Sequence, residues 1–280
     1  MIRRDGDAPR LLILGAGPTQ EPLILRAREL GLELMVVDAN PRAPGLSLAH
    51  HPLRISTLDV PGILAQARPF RPHGVTTVGS DRAVSAVSQV ARALGLPGLD
   101  PDAAARANSK LRMRQALEAH GVPAPRFIAV DDLVGAKSAL ADLGLPVVVK
   151  PVDNAAQRGV RRLDDPAGLP AALAEARRFS GSGTVLVEQC VDGPEITVSS
   201  FTVQGKLHAV LVADRYTNPP PYLGIALAHV YPSQWAQPCW EQVFEVTRRG
   251  LDALGIDRGP AYTQLRVDQD GPKIMEIGAR

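Results

Sequence analysis

The stretch LPVVVKPVDNAAQRGV, residues 145–160, runs an apolar strand straight into a lysine and a proline, then into a polar turn with one glycine. Val147, Val148 and Val149 form the short, continuous, β-branched run of a buried strand. Lys150 therefore ends a buried strand, in a chain with five lysines against 26 arginines. An ammonium placed there is desolvated on one side and requires an anion, for which a polyphosphate is well suited. The bland alternative is a head group that snorkels to solvent. A second candidate cation, Lys110, begins a helix for which Ser109 is a plausible N-cap and Gly121 the stop.

Outward from that strand the chain divides into three parts. RLLILGAGP reads as a strand ending in a Gly-rich turn, followed by a helix through Leu23 and Leu30. LELMVVDAN is a second strand, LRIST a weaker third and GVTTVGS a fourth. Helices over Pro61 to Ala67 and Ala83 to Leu94 separate them. Strands alternating with helices predict a doubly wound parallel α/β sheet over residues 1–98. Residues 99–182 read as linker helices and a small α+β module containing RFIAV, LPVVVK and GVRRL. Residues 183–280 read as mostly antiparallel strands, TVLVEQC through KIMEIG, with a helix at Trp240 to Leu254. The Pro-rich NPPPYLGIALAHVYPS reads as the longest loop.

Two further stretches can carry chemistry. In VLVEQCVDGPE, residues 185–195, a strand bearing Glu188 leaves through Gln189, Cys190 and Val191, turns at Asp192-Gly193 and returns with Glu195. The backbone of Gln189 to Val191 can offer an N–H and a C=O to a purine edge. Glu188 can accept from an exocyclic amine, and Glu195 from ribose hydroxyls. In YTQLRVDQDGPKIMEIGAR the Asp270-Gly271 turn brings Gln264 and Glu276 onto neighbouring strands. Such paired oxygen ligands suit Mg²⁺, with Mn²⁺ as an alternative. Arg280 supplies a guanidinium suited to carboxylate or phosphate. The plain alternative for each is a solvated hairpin.

The charge balance, 31 basic against 29 acidic side chains, gives no basis for a nucleic-acid partner, and no apolar run reaches the roughly 18 residues needed to span a bilayer. Cys190 and Cys239 lack metal-ligand spacing, which leaves a reduced, cytoplasmic setting as the default. No G-x-S-x-G elbow or cysteine–histidine pair supplies a hydrolytic nucleophile. Gly15, Gly17 and Asp38 sketch a dinucleotide site, but Gln20 stands where the third glycine belongs. An NAD(P)-dependent oxidoreductase therefore stays as a minor alternative.

In order and spacing these segments resemble the ATP-grasp superfamily of carboxylate–amine and carboxylate–thiol ligases, in the branch around biotin carboxylase and the carbamoyl-phosphate synthetase large chain. NSKLRMRQALEAHGVPAPRF resembles the segment bearing the first nucleotide lysine, and LPVVVKPVDNAAQRGV the second lysine with its phosphate loop. VLVEQCVDGPEITVSSF resembles the adenine hinge and GPKIMEIGAR the metal strand. The resemblance implies a pre-ATP-grasp domain followed by a two-lobed ATP-grasp domain whose small module is a mobile lid. It implies that Lys110 and Lys150 touch ATP phosphates under a loop with Arg158 and Gly159. Glu188 and the Gln189–Val191 backbone would hold adenine, and Glu195 the ribose. Gln264 and Glu276 would bind Mg²⁺, and Arg280 would steady an acyl phosphate. The implied reaction joins a small-molecule carboxylate to an amine or thiol and releases ADP, with a homodimer among the expected assemblies. Four features depart from the family pattern: Gln264 replaces a glutamate, Gly278 replaces an asparagine, the phosphate loop DNAAQRG has fewer glycines and should be stiffer, and the chain ends where family members run on, so C-terminal structure is expected to be missing. A nucleotide-binding protein of the same fold without turnover is the second alternative.

Overall fold

A computed structural model of the protein describes residues 8–153, 158–218 and 224–280. They group into two units, one comprising residues up to Ala105 with Ala279–Arg280, the other Arg106–Gly278.

The first unit contains β1 (Arg10–Leu14), α1 (Glu21–Glu29), β2 (Glu33–Val37), β3 (His51–Leu53), α2 (Val60–Phe70), β4 (Gly74–Thr76) and α3 (Asp81–Leu94); α4 (Pro101–Asn108) runs across the boundary. Its strands form a parallel sheet in the order β3-β2-β1-β4. Successive residues of β1 serve opposite faces, as the period of two requires. Leu12 and Leu14 pack with Ile63, Ala67 and Val90 of α2 and α3, while Ile13 packs with Ile24 and Ala27 of α1. This is the doubly wound sheet read from the sequence. The third strand lies slightly earlier than expected, because His51 pairs with Met35 and Leu53 with Val37. Its residues are exposed or half-buried, so no apolar run marks it.

The second unit opens with α5 (Lys110–Ala119), then β5 (Phe127–Val130), α6 (Leu133–Leu143), β6 (Val147–Pro151), β7 (Arg161–Leu163), α7 (Leu169–Phe179) and β8 (Val185–Gln189). These four strands make an antiparallel sheet in the order β5-β8-β6-β7. Val147 and Val149 of β6 and Val185 and Val187 of β8 bury one face against α6 and α7. Lys150 and Glu188 alternate with those valines and so belong to the other face. The boundary expected at 182–183 falls inside this unit, because β8 is an interior strand of the sheet begun by β5. Sequence order alone had placed β8 with the strands that follow it.

A second sheet has the order β11-β10-β9-β12-β13, built from β9 (Glu195–Val203), β10 (Lys206–Thr217), β11 (Ala226–Val230), β12 (Gly259–Asp268) and β13 (Gly271–Ala279). Between β11 and β12 runs α8 (Trp240–Leu254), whose buried stripe includes Val243, Val246, Gly250, Leu251 and Leu254. β11 lies within the segment read as a loop: its residues are exposed throughout, so it carries no burial alternation by which to find it. Among the described residues no helix is long and apolar enough to cross a membrane.

Candidate functional site

Helix α5 begins as the sequence indicates, with the Ser109 hydroxyl accepting the Arg112 N–H at 3.4 Å. The Lys110 N–H donates to Val152 C=O at 3.0 Å, which ties the helix start to the chain just beyond β6. The buried face of α5 consists of Met113, Arg114 and Leu117.

Lys150, 9% exposed, lies opposite Leu186 in the β6–β8 register, one diagonal step from Glu188 on the same face. Its Nζ contacts Glu188 Oε2 at 2.6 Å. The other partner of Glu188 is Arg114, which the sequence reading did not single out. Arg114 Nε donates to Glu188 Oε1 at 2.9 Å and its Nη2 to Oε2 at 3.3 Å. Arg114 and Glu188 are almost wholly buried, so two cations share one carboxylate away from solvent. Burial pushes the Glu188 carboxyl up, but Arg114 and then Lys150 outweigh it and hold it below its ordinary range. Burial lowers Lys150, and repulsion from Arg114 adds to that against the pull of Glu188. Lys110 also lowers Lys150 by repulsion, so the two sequence-predicted lysines act on one another.

Glu188, expected to meet a purine amine, already holds two cations. Both its oxygens meet Arg114 and Lys150, and its place opposite Val148 puts it on the sheet face that carries Lys150. The hinge backbone is also partly engaged: Gln189 N–H donates to Arg126 C=O at 2.9 Å and Cys190 N–H to Pro146 C=O at 3.0 Å. Arg266 Nη1 donates to Val191 C=O at 3.2 Å and to Gly193 C=O at 3.3 Å. Of this run's N–H groups, that of Val191 has no backbone partner among the described residues. A Cβ on Gly193, where φ is +95°, would stand 2.1 Å from Val267 C=O, so this close turn requires glycine. A cavity of about 460 Å³ lies beside it, lined in part by Gln189, Cys190, Val191, Asp268 and Lys273.

Beyond the turn, Glu195 is paired with Arg215, and Arg266 Nη2 lies 3.5 Å from its other oxygen. Along β9, Thr197 faces Gln264 across the ladder and its hydroxyl meets His229 Nδ1 at 3.2 Å. Gln264 alternates with the buried Thr263 and Leu265, and Glu276 precedes the buried Ile277; both are half-buried. A carboxylate and an amide oxygen on adjacent strands fit a hard divalent cation that takes its other ligands from phosphate and water. Among the described residues no group of three or more His, Cys, Asp or Glu is gathered for a metal.

The phosphate-loop expectation falls partly outside the described residues, since 154–157 are not among them. Of its flanks, Arg158 is exposed, and Gly159 is buried at φ +74° with the position of a Cβ 3.0 Å from the Phe179 ring. Asp153 accepts from the Ser180 hydroxyl at 3.0 Å and from the Gly181 and Ser182 N–H groups at 3.1 and 2.9 Å. Burial acts to raise its carboxyl, and these hydrogen bonds prevail and lower it.

Arg280 groups with the first unit, where its guanidinium pairs with Asp81 at the start of α3. In the same unit the Gly-rich turn is filled by its own side chains. Ala16 N–H donates to Asp38 Oδ2 at 2.9 Å and Gly17 N–H to Gln20 Oε1 at 3.0 Å. The donors and the acid of the sketched dinucleotide site are thus joined to the turn itself, in support of the plain reading as a tight strand–helix connection.

Comparison with known proteins agrees with this geometry. An ATP-grasp domain model matches residues 143–280. "Uncharacterized protein y4rH" of Sinorhizobium fredii is 28% identical over 235 residues, covering 81% of this chain and 48% of its own length. The formate-dependent phosphoribosylglycinamide formyltransferase of Burkholderia lata is 28% identical over 283 residues, covering 98% of this chain and 69% of the relative. The chain thus spans from about half to about two thirds of the length of these curated relatives. The crystal structure of the L-amino acid ligase from Bacillus licheniformis superposes with a TM-score of 0.79 at 27% identity, covering 97% of this chain and 67% of that one. Residues 143–280, which include the buried lysine closing the second strand of the small sheet, therefore belong to an ATP-grasp domain.

Proposed function

We propose that the protein is an ATP-dependent ligase that activates a carboxylate as an acyl phosphate for attack by an amine or another nucleophile, releasing ADP and phosphate. The observation that carries this reading is the buried Arg114–Glu188–Lys150 cluster, which holds a strand-end ammonium in place with one carboxylate shared between two cations. The net positive charge left over suits an incoming polyphosphate. Lys110, tied to Val152 just beyond β6, adds a second cation. The Val191 N–H is the hinge donor suited to a purine edge, and Glu195, held by Arg215 and Arg266, has lone pairs suited to ribose hydroxyls.

Gln264 and Glu276 would hold Mg²⁺, which when bound offsets phosphate charge at the reacting distance. The amide of Gln264 brings no charge, so Glu276 supplies the only formal charge of this pair. Arg280 is the candidate for steadying the acyl-phosphate oxygens. Lys150 needs little reorganisation as charge moves from the γ-phosphoryl to the leaving diphosphate, because neighbouring strands fix it. The loop through Arg158 and Gly159 would exclude water that hydrolyses the acyl phosphate.

Hydroxylamine trapping tests the proposal. The protein, ATP, Mg²⁺ and a panel of acids headed by formate and amino acids, which the relatives' names suggest, should yield a hydroxamate with matching ADP release. Nucleotide binding without ADP release across acids and amines would favour the non-catalytic alternative, which Gln264 motivates.

A further inference from the structure

Arg114 does more than pair with Glu188. Its Nη1 donates to Ile274 C=O at 3.3 Å and its Nη2 to Met275 C=O at 2.7 Å. Consecutive carbonyls of a regular strand point to opposite sides within the sheet, so one guanidinium reaches both only where the strand is irregular. Burial along β13 changes phase at the same place. Pro272 and Ile274 are buried, Met275 and Glu276 are both half-buried, and Ile277 and Ala279 are buried again. Unbroken alternation would have put Glu276 on the core face with Pro272 and Ile274. As an edge strand, β13 has a strand neighbour on one side only. Groups from and after α5 serve it instead: Met113 Sδ accepts the Ile277 N–H at 3.3 Å, and Pro123 C=O accepts the Ile274 N–H at 2.8 Å.

We propose that Arg114 is a positioning residue that holds this phase slip and thereby turns Glu276 out of the core, joining the lysine–glutamate pair to the metal-side carboxylate through one guanidinium. The inference rests on the nucleotide and metal reading above for the role of Glu276, but the slip itself can be tested without any ligand.

Arg114→Lys keeps a charge beside Glu188 but cannot also span two carbonyls. In folded Arg114→Lys protein, hydrogen exchange should accelerate at residues 274–277 and remain unchanged at 271–273. Mn²⁺ affinity in the presence of ADP, read by electron paramagnetic resonance, should fall by about 10-fold or more, as for other groups that orient a metal ligand. ADP affinity in EDTA should fall far less than Mn²⁺ affinity. Unchanged exchange at 274–277, or equal losses of ADP and Mn²⁺ binding, would overturn the proposal, because a merely structural role predicts lower stability with no split between the two. If the parent protein binds neither ADP nor Mn²⁺, the ligase reading fails, and the exchange arm alone decides whether Arg114 holds the slip. Should Arg114→Lys not fold, Met113→Leu spares the Glu188 pair and removes the acceptor of the Ile277 N–H. It should speed exchange at Ile277, and no change there would count equally against the proposal.

Discussion

Replacing Glu188 with glutamine removes the charge that two buried cations share, at nearly constant volume. At 2.6 and 2.9 Å, with an effective dielectric of about 20, each contact carries a Coulomb attraction of about 6 kcal/mol, most of it offset by desolvation. What remains after deleting one member of such a buried cluster is a loss of about 3–5 kcal/mol. For a unit the size of Arg106–Gly278 that corresponds to a fall in Tm of about 10 °C. The pH dependence has a definite sign. Lys150 already lies below its ordinary value of 10.5, and without Glu188 it falls further. The unfolded chain then binds more protons than the folded one between the lowered pKa and 10.5, so the variant gains stability as pH rises through that window. The Glu188 carboxyl of the parent is itself lowered from 4.5. Its contribution is present above that value and is lost as pH falls through the folded pKa, an acid limb the variant lacks. Thermal melts of both proteins from pH 3 to 10 read all of this. A deficit below about 1 kcal/mol at neutral pH, or one that does not shrink in alkali, refutes the shared-carboxylate account.

Lys150→Met should behave in the opposite way, because it leaves Arg114 and Glu188 as a balanced pair. Its melting temperature should equal or exceed that of the parent, while calorimetry should show ADP binding weakened by about 10-fold or more. Gly193→Ala should cost about 1–3 kcal/mol in chemical denaturation, since it combines a positive φ with a clash against a carbonyl. Asp38→Ala removes the acceptor of the Ala16 and Asn40 N–H groups and should lower stability by about 1.5–3 kcal/mol. In the same experiments NADH fluorescence should be unaltered by either the parent or the variant.

The sequence makes much of this architecture readable because strand period and turn chemistry agree along it. In the first unit β1 alternates Leu12, Ile13 and Leu14 between two helical layers, and Gly95 closes α3 with φ +66° as its position after the last periodic leucine indicates. The scarcity of lysine pointed to Lys150. What escaped is physically explicable. β11 buries nothing, so no periodicity marks it, and β8 resembles its successors until its hydrogen-bonding partners are known. Arg114 is one of 26 arginines. Its one local sign is that it stands three residues before Leu117 on the stripe that α5 buries, where an uncompensated guanidinium would be untenable. The double pairing of Glu188 depends on that same distant residue, so no local pattern around the hinge could have revealed it.

Lys150 and Glu188 sit on adjacent strands of a single sheet, while Arg114 reaches them from a helix outside it. A rigid displacement of that sheet would therefore transport the ammonium and its counter-ion as one passenger, and only the arginine end of the cluster would stretch. The ammonium would keep its counter-ion in every posture of the small sheet, while the repulsion that Arg114 exerts on it would vary with that posture. What changes with posture is the Arg114–Glu188 contact, which makes it the natural place for a clutch between the small sheet and the edge of β13.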